Sequence, residues 1–218
     1  MTEPPVLDAA PADEPAGRAA GRRWGTAALA AAIVVGLLLG FAAGWLAPRL
    51  TRPGDDSAEA GFARDMTSHH AQAVEMGLLA FRSATNPGVR QIGVDIATSQ
   101  QGEIGTMQDW LATWGLEPTG SQPPMAWVPD GTDMVKNGLM PGMATPAEME
   151  RLRSAQGVEL DRLFIQMMIK HHIGGIHMID AVLDQSDDPA VHRVAETMKR
   201  TQQTALTNMR TLQQQVGG

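Results

Sequence analysis

The 218-residue chain contains no cysteine, which removes disulfides, thiolate metal sites and thiol catalysis together. Positive charge is also scarce: from Asp55 onward there are 12 Lys and Arg against 20 Asp and Glu, and the whole chain carries a formal net charge of −7. A surface of that sign repels polyanions, so nucleic acid is not expected as a partner. The length suits one globular domain plus an appendage, and two domains would be a squeeze. What is abundant is methionine, with 14 residues. On its own that signals only an adaptable core.

Charge vanishes altogether between Thr26 and Ala47, "TAALAAAIVVGLLLGFAAGWLA", a stretch bounded by Trp24 and Trp45. It is long enough to span a bilayer as a helix with aromatic residues at the interfaces. Arg18, Arg22 and Arg23 precede it and Arg49 and Arg52 follow, a slight bias towards an inside N-terminus. A cleaved signal peptide is the rival, but the apolar run exceeds a usual h-region and Pro48 suits a cleavage site poorly. The expectation is a single-pass protein of the cell membrane with an extracytoplasmic soluble part. Gly36, Gly40 and Gly44 make small-xxx-small steps that would let two such helices pair in a homo-oligomer, or they reflect only the frequency of glycine in membrane helices.

The soluble part is duplicated. A shift of 102 positions aligns residues 62–107 with 164–209 without a gap, with ten identities where about three are expected by composition. The repeat unit reads as a helical hairpin. Asp56 with Glu59 looks like a capping box opening the first helix, and Asn86-Pro87 and Asp188-Pro189 each set an N-cap before a proline at the first helical position. Between the hairpins, residues 115–145 are rich in Pro and Gly and read as an irregular excursion, followed by a capping box at Thr145-Pro146-Ala147-Glu148. The predicted fold is all-α: a ferritin-like four-helix bundle of two duplicated hairpins joined by a long loop, with one N-terminal transmembrane helix. The boundaries are 1–23 for a disordered tail, 24–47 for the membrane helix, 48–56 for a linker and 57–216 for the bundle.

The repeat carries its chemistry in "DMTSHHAQAVEM" and "MMIKHHIGGIHM". At 100° per residue, Phe62, Met66, His69, His70, Ala73 and Met76 fall within one arc of about 120°, as do Phe164, Met168, His171, His172, Gly175 and Met178. A phenylalanine in that arc turns the histidines and methionines inward; His177 falls on the opposite side. A single inward histidine is commonly a core residue satisfied by one hydrogen bond. Four, paired and duplicated, would cost several kcal/mol if left unpartnered, and metal ions are the economical partner.

The ligand types select the metal. No Glu-x-x-His step occurs in the sequence; Met66-x-x-His69 and Met168-x-x-His171 stand where a di-iron bundle would have it. Thioether in place of carboxylate favours a soft ion, above all Cu(I), with Ag(I) as its mimic, whereas zinc would recruit carboxylate or thiolate. Ala73 and Gly175 leave room for an ion. Gln100 and Gln202 are either partners of a ligand imidazole or exposed helical glutamines. Met125, Met134, Met140 and Met143 in the loop are either further soft ligands or hydrophobic fasteners, with Met140 and Met143 of "MPGM" the secondary candidates.

With each M-x-x-H-H motif followed by a helix that opens at Asn/Asp-Pro and contains a Gln-Gln pair, the chain resembles the family called domain of unknown function 305, over roughly residues 57 to 215. The resemblance implies a ferritin-like four-helix fold, and for some members extracytoplasmic copper binding linked to copper tolerance. Carried over by position, it supports Met66, His69, His70, Met76, Met168, His171, His172 and Met178 as metal ligands. His177 departs from the family pattern and is a peripheral candidate. The expected function is sequestration or transfer of Cu(I) without catalysis, binding weakening near pH 5 as imidazoles protonate. The alternatives are a redox-active copper enzyme and a metal-free helical interaction module.

Overall fold

The computed structural model describes residues 25–50 and 52–217, and the regular structure among them is helical. The expected tail, residues 1–23, lies outside the described residues, as does Trp24. The chain divides after Thr51 into two units.

The first unit contributes α1 (Thr26–Leu50), which extends three residues into the stretch expected as linker. Its segment Thr26–Leu46 has a mean hydropathy of 2.3 and no buried residue, so it is long and apolar enough to cross a membrane; an N-terminal signal sequence has the same properties. A Cβ at Gly36, Gly40 or Gly44 would meet nothing within 4 Å.

The second unit is the bundle: α2 (Ala58–Ser83), α3 (Pro87–Trp114), the short α4 (Pro146–Ser154), α5 (Gly157–Gln185) and α6 (Pro189–Gly217). Helices α2, α3, α4 and α6 start where a side chain accepts orphan N–H groups of the first turn, whereas α5 opens at Gln156 without a side-chain cap. Asn86 accepts from Gly88 and Val89, Asp188 from Ala190 and Val191, and Thr145 and Glu148 form the reciprocal capping box. The opening of α2 differs from expectation by one residue. Ser57, not Asp56, is its N-cap and accepts from Ala60. The serine hydroxyl reaches the third N–H after it, whereas Asp55 accepts from the Arg64 side chain within α2 and Asp56 from Gln122 of the crossover.

Helices α2 and α5 pack antiparallel. Asp161, near the start of α5, accepts from Thr85 and Asn86 just beyond the end of α2, while His69 lies against Gly175 further along both. Since α2–α3 and α5–α6 are hairpins, α3 and α5 then run the same way, and the chain must travel the length of the bundle between them. That is the physical reason for the long crossover. Its contacts march along α2 in order: Glu117 with Arg64, Met125 and Trp127 with Asp65, Pro141 with His69, Ala144 with Gln72, and Arg153 of α4 with Glu75. A single 3-10 turn, Gly131–Met134, interrupts it.

Phe62 and Phe164, matched in the repeat, are both fully buried, and truncation of either to alanine should cost about 3–5 kcal/mol. Phe62 also meets the Trp127 ring edge-on at 5.9 Å, so the crossover closes over the first hairpin's core. Asp65 fixes that tryptophan and the Met125 amide at 2.8 and 2.7 Å, and burial raises its carboxyl above the usual carboxylate range.

Candidate metal centre

Helices α2 and α5 turn their M-x-x-H-H steps towards each other. His69, His70, His171 and His172 are at most 1% exposed, and Met66, Met76, Met168 and Met178 are wholly buried. The antiparallel packing then settles which of them are neighbours. With His69 level with Gly175, three residues back along α2 and three onward along α5 bring Met66 level with Met178. Seven residues the other way bring Met76 level with Met168. The side-chain packing agrees: Met66 and Met178 share one buried cluster with Phe62 and Met140, and Met76 and Met168 share another with Phe164 and Met209. By helical register the eight residues sort into two half-centres, each combining M-x-x-H-H from one helix with the lone methionine of the other, and the His69–His171 contact joins them. This accounts for the second methionine in the repeat frame.

Across the middle, the His69 and His171 rings stack with centroids 3.8 Å apart at 36°, while His69 and His70 are 6.5 Å apart. Among the described residues no group of three or more His, Asp or Glu side chains is arranged to hold a metal ion. An ion here would therefore have to draw on thioether sulfur.

The imidazoles are poised to donate. His69 Nε2–H donates to the Pro141 carbonyl at 3.1 Å, and His70 Nε2–H donates to the Glu103 carboxylate at 2.7 Å. Because both partners are acceptors, each Nε2 holds the proton and each Nδ1 keeps its lone pair. Those two Nδ1 atoms, with His171 Nε2 and His172 Nδ1, are buried without a hydrogen-bond partner. Such orphans cost about 1–3 kcal/mol each. A Lewis acid would satisfy those that present a lone pair, as the Nδ1 atoms of His69 and His70 do, so the donor set fits a soft metal ion.

Electrostatics favours the same state. Burial pulls the pKa of His69 from 6.5 down to about 3, helped by the neighbouring His70 and opposed by the Pro141 carbonyl. Burial and His70 bring His172 to about 4, against the pull of the Met168 carbonyl one turn back, and burial holds His171 well below 6.5. These three rings stay neutral, the form a metal requires.

The remaining candidates divide. Met140 is buried in the cluster of Met66 and Met178 and Met143 packs against it, so the "MPGM" strap lies over the first half-centre. The backbone makes this approach possible. Gly142 has φ +82°, and a Cβ on Gly174 would fall 2.0 Å from the Pro141 oxygen. Met125 is buried in the same cluster, whereas Met134 is 40% exposed. His177 is exposed on the outer face of α5, apart from the four buried rings. Gln100 and Gln202 are buried, but Gln100 Oε1 and Gln202 Nε2 have no hydrogen-bond partner. The groups that do bond the imidazoles are Glu103 and the Pro141 carbonyl, which the sequence reading missed. Nor does Gly175 leave open space: a Cβ there would meet the Gln202 amide oxygen at 2.7 Å and His69 Cε1 at 3.2 Å. A surface cavity of about 480 Å³ between the start of α2 and the crossover is lined by none of the histidines or methionines.

Comparison with known proteins places this geometry. A presumed secreted protein of the domain of unknown function 305 (DUF305) from Streptomyces coelicolor is 38% identical, with a TM-score of 0.69 over 76% of this chain and 97% of its own. A DUF305 fragment from Deinococcus radiodurans is 29% identical, with a TM-score of 0.59 over 73% and 95%. CopM, solved in Cu(I)-, Cu(II)- and Ag-bound forms, shares the fold: its Cu(I)-bound form is 23% identical, with a TM-score of 0.58 over 74% and 99%. None of the curated proteins matches the sequence. The family model for DUF305 matches residues 59–213, the two hairpins and the crossover between them, and the chain belongs to that family.

Proposed function

We propose that the protein is a membrane-anchored, extracytoplasmic copper-binding protein that holds Cu(I) reversibly through methionine and histidine, for sequestration or transfer, with Ag(I) as a mimic. The observation that carries this reading is the set of four buried ring nitrogens without partners, flanked by four buried thioethers and no cysteine. Neutral imidazole and thioether together suit a soft monovalent ion better than zinc or iron. CopM lends support, since that protein takes up Cu(I) and Ag within the same fold. The anchoring rests on α1 and on the arginines before it, which favour an inside N-terminus and an outside bundle. We read the activity as binding without catalysis.

Anaerobic titration with Cu(I) against a competing chelator tests the reading. A His69→Ala/His171→Ala protein should lose about 100-fold or more in affinity, on the order of 3 kcal/mol. Unchanged affinity and stoichiometry would overturn the site. Oxygen consumption with Cu(I) above background would favour a redox enzyme, and metal-free protein from copper-supplemented cells an interaction module. Protease sensitivity of the bundle in intact cells checks its side of the membrane.

A further inference from the structure

We infer that Glu103 is a positioning residue that makes the half-centre of Met66, His69, His70 and Met178 the tighter of the two, an inference that rests on the copper reading above. The contact is direct: the His70 ring is fully buried, and its Nε2–H donates at 2.7 Å to a carboxylate whose side chain is 17% exposed. Glu103 thereby decides which nitrogen of His70 faces the interior. With the proton held on Nε2, Nδ1 presents its lone pair and the ring cannot rotate away from it.

Charge gives Glu103 a second role. Imidazole and thioether are neutral, so a monovalent cation bound by them brings an uncompensated positive charge into the protein interior. A carboxylate one ring away supplies the missing negative charge and makes the imidazole a stronger donor.

The repeat shows that this is a feature of one half only. The shift of 102 positions that superimposes His70 on His172 superimposes Glu103 on Ala205, whose methyl group can neither accept a hydrogen bond nor carry charge. His172 has no carboxylate at the matching place and, among the described residues, no ion pair like that of His70 with Glu103. Two half-centres with the same ligands thus differ in their support, and the first should load first.

Two substitutions in the full chain separate the roles. Glu103→Gln keeps an acceptor for His70 and removes the charge; Glu103→Leu removes both. In chelator-competed Cu(I) titrations the wild type should load in two steps. The tighter step should weaken about 10-fold in Glu103→Gln and up to about 100-fold in Glu103→Leu, leaving the other step unmoved. Nitrogen NMR of the metal-free protein supplies a readout that a purely structural role would not shift: His70 should be the Nε2–H tautomer in the wild type and in Glu103→Gln, and a tautomer mixture in Glu103→Leu. Wild-type affinity in both variants, or an Nδ1–H tautomer of His70 in the wild type, would overturn the inference while leaving copper binding intact. Absence of Cu(I) binding in the wild type would sink the copper reading itself.

Discussion

The hairpin of α2 and α3 and the hairpin of α5 and α6 share an interior and differ wherever they meet something that exists only once. Matched positions inside, Phe62 and Phe164 or His69 and His171, are equally buried. Matched positions facing the crossover are not alike. Gln72 holds Ala144 by two side-chain hydrogen bonds, at 2.9 and 2.7 Å, whereas its counterpart Gly174 gives up a side chain so that Pro141 and Gly142 can close onto α5. Duplication produces paired ligands in antiparallel register; a single crossover laid along one groove, and the change from Glu103 in α3 to Ala205 in α6, then make the pairs unequal. The strap gives His69 a carbonyl partner, and α3 gives His70 a carboxylate.

The likeness of the two interiors is tested most severely by acid. In the unfolded chain the imidazoles titrate near 6.5; in the fold His69 titrates at about 3 and His172 at about 4, with His171 also lowered. Each is a depressed pKa, so the stabilising difference is complete above pH 6.5. It is lost as the pH falls towards 4, because the unfolded chain takes up protons that the folded one refuses. The slope is about 1.4 kcal/mol per pH unit for each ring. The melting temperature of the metal-free protein should be flat above pH 7 and fall steeply below 6.5, with the fall displaced to lower pH by Cu(I). Where the fold survives, binding should persist below the pH of about 5 at which ordinary imidazoles would release the ion. A slope worth only one histidine would mean that one hairpin's rings are hydrated, and the likeness would fail.

The unlike pair, Gln72 and Gly174, predicts a smaller effect. A methyl group on Gly174 would meet backbone on the strap, 2.0 Å from the Pro141 oxygen and 2.7 Å from the Gly142 nitrogen, so neither side can yield by rotating a side chain. Gly174→Ala should cost about 1–3 kcal/mol in urea unfolding and speed Cu(I) loss to a chelator by loosening the strap. Gln72→Ala removes two hydrogen bonds of about 0.5–1.5 kcal/mol each and leaves Pro141 seated on His69. Faster metal loss from Gln72→Ala than from Gly174→Ala would reverse the roles assigned to the two sides of the groove.

The sequence made the paired interior legible because helical periodicity and the shift of 102 both project onto one helix at a time. Phe62, His69, His70 and Met76 needed only the angle per residue to be turned inward. Helix starts at Asn86-Pro87, Asp188-Pro189 and Thr145-Pro146 were equally local. What stayed hidden depends on the path of the crossover, which has no period and so gives no sign that Pro141 meets His69 or that Gly174 is a seat for backbone. Glu103 read as an ordinary helical glutamate. Its signal was present but needed two observations together: it lies one turn beyond the buried Gln100, on the same face of α3, and it breaks the repeat, where Ala205 stands. Gln100 and Gln202 misled because a polar residue in an apolar stripe points to burial without naming its partner.

The smallest predicted effects belong to the matched pair Glu75 and His177, each just before a methionine of the ligand set and itself outside it. Glu75 holds Arg153 of α4 at 3.0 and 2.6 Å, with both side chains nearly half exposed. Solvent screens such a pair, and Glu75→Ala should leave both the unfolding midpoint and the Cu(I) affinity close to wild type. His177 is exposed, about 120° and 140° around α5 from the buried His171 and His172. Its ring cannot reach the interior without rotating a helix that Phe164, Met168 and Met178 lock in place. His177→Ala should therefore leave affinity and stoichiometry within about twofold of wild type, a difference under 0.5 kcal/mol. A tenfold loss in chelator-competed titration would restore His177 as a ligand. It would require copper to bind at the outer face of α5, and the two hairpins would then differ in their metal chemistry as well as in their support.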